Sequence, residues 1–294
     1  MAPARWAAVV INYEAGPLLT DAVRSVLAES SAGPVEVVVV DNGSHDGSID
    51  QLLRAFPDVQ VIASPGNIGY ARAANLGIAA TRAPVVAVLN PDTKLEQGTA
   101  SAMLARLDTQ PRVAACGPRV KNPDGTDYPS ARVVPSLWVG FMHAVLAPFR
   151  PDNKYTARYH QRSADPARPR VVDCLSGSAI FLRRSALDAV GGWDEDYFMY
   201  FEDVDLCWRL RRAGWEVAYE PGGVVWHVQG ASTARRPYRM LVEHHRSAWR
   251  FAQRRMTGPR VVLLPFVAVL LVARAAVVCA RQFWAASRAR HTSD

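Results

Sequence analysis

Three short valine-rich runs each end abruptly on polar residues: AAVVINY at 7–13, VEVVVVDNGS from 35, and APVVAVLNPD from 83. Runs this short, rich in β-branched residues and bounded by turn formers, read as strands buried on both faces, which is the signature of a parallel sheet covered by helices. The sequence between them agrees. Pro17 to Glu29 opens with Gly16-Pro17 and carries Leu18, Leu19, Ala22, Val26 and Leu27 as an apolar face, which predicts a helix. Ser48 to Ala55 and Tyr70 to Ala80 predict two more, with a strand over VQVIA at 59–63. The alternation predicts an α/β domain whose site lies along the C-terminal edge of a mainly parallel sheet.

The pattern continues with a helix over Thr99 to Leu107 and an extended run at 113–120. Residues 121–170 then become irregular, with 7 prolines, a basic patch and the apolar segment VVPSLWVGFMHAVLAPF, and read as a mobile loop or an acceptor-contacting excursion. Regularity returns with VVDCLSGSAIFLRR at 171–184 and a helix at 185–190. In FMYFEDVDLCWRLRRAGW a helix is predicted from Asp203 to Arg212 or Ala213, stopped by Gly214, with Asp205 and Arg209 as an i,i+4 pair. His227 follows the next strand.

A chain of 294 residues, 49% hydrophobic, can bury a substantial core. The cysteines at 116, 174, 207 and 279 show no paired spacing and suit buried thiols in a reducing compartment, not a disulfide framework or zinc site. The start, MAPAR before WAAVVI, lacks the pattern of a cleaved export signal. The net charge of +7 is uneven: from Arg235 onward 12 arginines face only Glu243 and Asp294. The same tail contains VVLLPFVAVLLVARAAVVCA at 261–280, interrupted by Arg274 and carrying Pro265. A nucleic-acid arm needs exposed cations without so much apolar surface, so the expectation is membrane association and no nucleic acid. The arginine within the apolar run favours peripheral or monotopic attachment, with Arg246, Arg250, Arg254, Arg255 and Arg260 facing anionic lipid and Trp284 near the interface. The competing expectation is a tail folded over the domain or paired in a homo-oligomer.

The polar strand ends supply candidate chemistry. Asp41-Asn42-Gly43-Ser44 forms a tight loop in which Asp41 can accept donors from a base or ribose; it is neither a Walker loop nor a dinucleotide fingerprint. Asn67, Gly69, Arg72 and Asn75 in NIGYARAANLG suit either a sugar or nucleotide site or a capped, closely packed helix. Asp92 in Asn90-Pro91-Asp92 is placed to hold magnesium or manganese, though one carboxylate makes a poor metal site alone. Glu202 and Asp203, walled by Phe198, Tyr200 and Phe201, offer a general base. Each stretch, read by itself, is also ordinary turn or cap chemistry.

Taken together, VVINY, VVDNGSHDGS, GNIGYARAANLG, LNPD, SGSAIFLRR, GGWDEDYFMYFEDVDLCWRLRRAGW and HVQGAS resemble the inverting nucleotide-sugar glycosyltransferases of family 2, over residues 7–232, and most closely their bacterial rhamnosyltransferase branch. The resemblance implies a GT-A fold, and the chain divides into a catalytic domain at 1–234, with an acceptor-side loop near 121–170, and the basic, apolar membrane-associating tail at 235–294. It implies that Asp41 reads the pyrimidine with Asn12 and Tyr13 near the nucleoside, that Asn67, Arg72 and Asn75 shape the donor side, and that Asn90 to Asp92 stands where the family has D-x-D. Here the motif is N-x-D, so Asp92 is its main carboxylate. Asp203 matches the base, Glu202 supports it, Gly192, Trp193 and Asp194 lie near the acceptor, and His227 joins Asp92 as a ligand of Mn2+ or Mg2+. The implied reaction is transfer of L-rhamnose from dTDP-L-rhamnose to a polyprenyl-diphosphate-linked N-acetylglucosamine at the cytoplasmic face of the membrane. A UDP-hexose transferase and a silent carbohydrate-binding module remain the alternatives.

Overall fold

The computed structural model describes residues 4–134, 139, 142, 146–147, 149–150, 152–159, 161, 164–228 and 237–291. Strands β1 (Trp6–Asn12), β2 (Val35–Asp41), β3 (Gln60–Ala63) and β4 (Val85–Leu89) form where the valine-rich runs predict them. They lie parallel in the order β3-β2-β1-β4. Every residue of β1 is buried, and alternation divides it between two cores. Ala7, Val9 and Ile11 enter one with Val38, Val40 and helix α3 (Tyr70–Ala79), while Trp6, Ala8 and Val10 enter the other with α1 (Pro17–Leu27) and α4 (Thr99–Thr109). The remaining early helix, α2 (Ser48–Ala55), has its expected bounds.

Beyond β4 the sheet becomes mixed. The three-residue β5 (Thr93–Leu95) was not anticipated. β6 (Val113–Lys121) is followed by the short strands β7 (Asp127–Tyr128), β8 (Ala131–Arg132), β9 (Arg170–Val172) and β10 (Cys174–Leu175), then by β11 (Ala179–Arg183) and β12 (Glu216–His227). β11 runs antiparallel between β4 and β6, β12 runs parallel to β6, and β5 closes the edge antiparallel to β12. His227 is the last residue of β12, not a residue after it. The 121–170 region carries β7, β8 and a helix at Lys154–Tyr159; much of its apolar segment falls outside the described residues, as does most of HVQGAS.

The expected tail begins with the helix Pro237–Arg255, and this helix is packed on the catalytic unit. Phe251 belongs to the core, with ring contacts to Phe201 and Trp208, and Ser247 Oγ donates to the Met199 carbonyl at 2.8 Å. Arg250 pairs with Asp194 and Asp196, and Arg254 with Asp194 and Asp205. The expectation that Arg250 and Arg254 face lipid is therefore corrected: protein carboxylates hold them. The helix Leu264–His291 follows, and Arg274 Nη1 lies 3.0 Å from His245 Nε2 of the preceding helix. Phe266, Val269 and Val272 on this helix, and Val262 in the 3-10 turn Gly258–Leu263 before it, are all about 70% exposed.

Candidate active site

Asn12 and Asp41 close neighbouring parallel strands in register. Asn12 is fully buried, and its Nδ2 donates to Asp41 Oδ1 at 3.0 Å, Ser44 Oγ at 3.0 Å and Ser48 Oγ at 2.9 Å. The Ser44 amide donates to Asp41 Oδ2 at 3.3 Å. Asn12 thus orients Asp41, the residue expected to read the base, and has no surface of its own to offer a nucleoside. Tyr13 sits half-buried at the same strand end.

Asn42, which sequence reasoning passed over, organises the next loop. Its Oδ1 accepts the Ile68 amide at 2.8 Å, and its Nδ2 donates to Asn67 Oδ1 at 3.1 Å and to the Gly69 carbonyl at 3.3 Å. The signal was available: an asparagine directly after a buried strand has unpaired amide groups to place. Asn67 is thereby a loop residue, with its Oδ1 also accepting the Gly69 amide. At Gly69, φ is +90°, and a Cβ would stand 2.8 Å from the Phe198 carbonyl oxygen. That close approach lets the Tyr70 amide donate to Phe198 at 2.8 Å, fastening α3 to the stretch that leads into the carboxylates.

Asn75 and Arg72 reach the GGWDE turn. Asn75 Nδ2 donates to the Trp193 carbonyl at 2.9 Å and to Glu195, its Oδ1 accepts the Trp193 amide at 3.0 Å, and Arg72 pairs with Glu195 at 3.8 Å. Trp193 is 1% exposed and packs edge-on against Tyr70. Asp194 is taken up by Arg250 and Arg254. In this structure a buried indole and a doubly paired carboxylate brace the turn. Gly192, at φ +71°, offers its carbonyl to Arg209 Nη1 at 2.7 Å.

Asp92 and His227 lie 135 positions apart in sequence, and β5 unites them by pairing Thr93 with His227. The Val228 amide donates to the Asp92 carbonyl at 3.0 Å, and Asp92 Oδ1 stands 3.1 Å from His227 Nε2. Asn90 Nδ2 is 3.4 Å from the same nitrogen. Asp92 Oδ1 is buried and without a hydrogen-bond partner among the described residues. Two ligands on adjacent corners of an octahedral ion, with bonds of about 2.0–2.1 Å, stand about 3 Å apart, so this pair fits a divalent cation. Among the described residues no third His, Cys, Asp or Glu joins them, and a metal here would take its other ligands from phosphate and water. The His227 ring is fixed edge-to-face against Tyr128, 5.9 Å between centroids.

The carboxylate pair opens the helix Glu202–Arg212. Tyr200 and Phe201 before it both have positive φ, 67° and 65°, a conformation that costs bulky residues about 1–3 kcal/mol each and recurs at functional sites. The turn delivers both carboxylates inward, Glu202 7% and Asp203 9% exposed. Asp203 Oδ2 accepts the Gly177 amide at 3.0 Å, and its Oδ1 accepts the Val204 amide at 2.8 Å. Glu202 Oε2 is buried without a partner among the described residues. Burial and the neighbouring Asp203 push the Glu202 carboxyl up to about 8. Two further residues belong to this site and were not singled out from sequence. Tyr70 donates from Oη to the Gly177 carbonyl at 2.6 Å; burial and the charges of Glu202, Asp203 and Asp92 keep its phenol well above the ordinary range. Arg132 donates to Tyr128 Oη at 2.7 Å and to the Pro129 carbonyl at 3.2 Å, with its charge reaching Glu202 and Asp203. The expected Asp205–Arg209 pair forms at 2.6 Å.

Strand ends and the start of the helix Glu202–Arg212 thus gather the Asp41 carboxylate, the Asp92–His227 pair and a buried carboxylate couple. Residues 3–253 match the family described as "Glycosyltransferase like family 2". The N-acetylglucosaminyl-diphospho-decaprenol L-rhamnosyltransferase of Mycobacterium tuberculosis (strain H37Rv) is 41% identical over 261 residues, 85% of this chain and 84% of that protein. Among solved structures, a mannosyltransferase from Pyrobaculum calidifontis in complex with GDP-Man and Mn2+ aligns with TM-score 0.59 and 17% identity, covering 98% of this chain and 81% of its own. GalNAc-T7 with UDP, GalNAc and Mn2+ aligns with TM-score 0.56 and 14% identity, covering 76% of this chain and 43% of its own. The chain belongs to glycosyltransferase family 2 and has the GT-A fold.

Proposed function

We propose that the protein is an inverting L-rhamnosyltransferase that moves rhamnose from dTDP-L-rhamnose to a polyprenyl-diphosphate-linked N-acetylglucosamine in cell-wall glycan or linker assembly. The observation that carries sugar and acceptor is the 41% identity spread over most of both chains with the mycobacterial enzyme. In this reading Asp41, held by Asn12 and Ser44, receives the pyrimidine. The acceptor hydroxyl oxygen attacks the anomeric carbon, and its proton passes to Asp203. The bond from that carbon to the diphosphate oxygen breaks with its electron pair leaving on phosphate, so configuration inverts and no sugar becomes bound to protein. Asp92 and His227 would hold a divalent cation, which would supply positive charge beside the departing diphosphate. The mixed imidazole and carboxylate pair suits Mn2+ and accepts Mg2+. The active edge faces cytosolic donor while the tail rests on the inner leaflet as a monotopic attachment; nucleic acid has no part in this.

The deciding experiment offers purified protein a panel of dTDP-rhamnose, UDP-glucose, UDP-galactose and GDP-mannose, with membranes supplying native lipid acceptors, and weighs the products by mass spectrometry. Addition of one deoxyhexose from dTDP-rhamnose alone is expected. Preferential hexose transfer from a UDP-sugar would overturn the donor assignment, and ligand binding without turnover would leave a silent carbohydrate-binding module.

A further inference from the structure

Glu202 and Asp203 are adjacent, both more than nine-tenths buried, and differently provided for. Asp203 has one backbone amide on each oxygen, which solvates an anion. Glu202 Oε2 is buried with no partner among the described residues, although a carboxylate left so would forfeit the donors it enjoys in water. Among the described residues, the charged and titratable groups that act on it or feel its charge are Asp203 on its own helix, Arg132 from β8, Tyr70 from α3 and Tyr200 from the preceding turn. Arg132 and the backbone amide of Glu202 itself favour a charged Glu202, but both weigh less than burial and Asp203, and Arg132 donates to Tyr128 and Pro129. Tyr70 spends its hydroxyl hydrogen on Gly177. Two like charges side by side in a buried site are the arrangement in which one proton is retained.

We infer that Glu202 works as a neutral carboxylic acid that donates a hydrogen bond to a neutral oxygen of the acceptor sugar, while Asp203 alone carries negative charge and takes the proton. The inference rests on the reading of Asp203 as the base toward an acceptor hydroxyl. It assigns the pair unlike tasks: one holds the sugar, the other does the chemistry. Once Glu202 loses its proton, it can no longer donate, and its charge repels the electron-rich acceptor oxygens. Transfer should therefore decline as pH rises through about 8, where burial and Asp203 place its carboxyl.

The test compares the full-length parent, Glu202→Gln and Asp203→Asn. Glu202→Gln keeps a neutral donor, so acceptor kcat/KM below pH 7 should fall by about 3- to 10-fold, the scale of one imperfectly replaced hydrogen bond. Asp203→Asn should lose on the order of 100-fold or more. The decline near pH 8 seen in the parent should vanish in Glu202→Gln. Independently of any substrate, the infrared carbonyl band of a protonated carboxylic acid should be present in the parent at pH 7 and absent from Glu202→Gln. A loss in Glu202→Gln as deep as in Asp203→Asn, a persistent decline near pH 8 in that variant, or no difference in the infrared band would each overturn the assignment. Should the parent transfer no sugar at all, the proposed reaction fails and the infrared comparison still decides where the proton sits.

Discussion

At the scale of single residues, the partners a polar side chain already has, more than its burial, set the supporting residues apart. Asn12, Asn75, Trp193 and Asp194 have their polar groups or surfaces committed to the protein, while Asp41, Asp92, His227 and the carboxylate pair stand at strand and helix ends. If His227 holds the cation as proposed, replacing it by Ala should raise the Mn2+ concentration needed for half-maximal transfer by about 10-fold or more, read from a metal titration at saturating donor. An unchanged metal requirement would detach His227 from the cation. Glu202 also leaves a mark on stability. Its carboxyl has the ordinary value of 4.5 in the unfolded chain and is pushed up to about 8 by burial and Asp203 in the folded one, so over that interval the native state holds a proton that the unfolded chain has released. Stability from this group consequently falls as pH rises from 4.5 to 8. Relative to the parent, Glu202→Gln should gain in Tm across that window and keep a constant offset below it.

At the scale of elements, the close seating of α3 on the sheet can be tested at Gly77. A Cβ there would stand 2.3 Å from Val9 Cγ1 and 2.9 Å from Val40 Cγ2, both fully buried valines. Alanine in a helix gains about 1 kcal/mol of propensity over glycine, but overpacking of this severity costs about 1–3 kcal/mol. Packing should win, and urea unfolding of Gly77→Ala should show a lower midpoint with an unchanged slope. The sequence made the parallel half of the sheet readable because β1, β4 and the later half of β2 are buried on both faces and so run apolar almost to their ends. It hid β5, whose three residues are too few to show a period, although that strand brings Asp92 to His227. Asp41, Asp92, Asp203 and His227 could be picked out by their positions at element ends. Arg132 could not, because its proximity to Glu202 and Asp203 depends on β8 pairing with β10 across a long excursion. The basic helix misled for the same reason: its arginines looked like lipid contacts until Asp194, Asp196 and Asp205, some fifty residues earlier, came into register with them.

At the scale of the whole molecule, the described residues contain one helical stretch, Gly258–Arg281, long and apolar enough to cross a membrane. Its outer stripe is exposed, yet Arg274 turns to His245, which accords with a segment lying along a surface. Deleting 258–294 while keeping the helix Pro237–Arg255 should leave the catalytic unit folded, because Phe251 and the Arg250 and Arg254 pairs remain. Vesicle flotation should then drop to background while transfer to a short-chain, water-soluble acceptor persists; undiminished flotation would point to an anchor elsewhere. The seam between the two tail helices has one more consequence. Arg274 joins the apolar helix to His245, and the same basic helix grips Asp194, next to the turn braced by α3. With the stripe seated in lipid, this chain of contacts would hold the carboxylate couple at a set height above the bilayer. The enzyme would then measure its acceptor like a gauge, accepting the first sugar above the carrier and passing over the same sugar displayed further out.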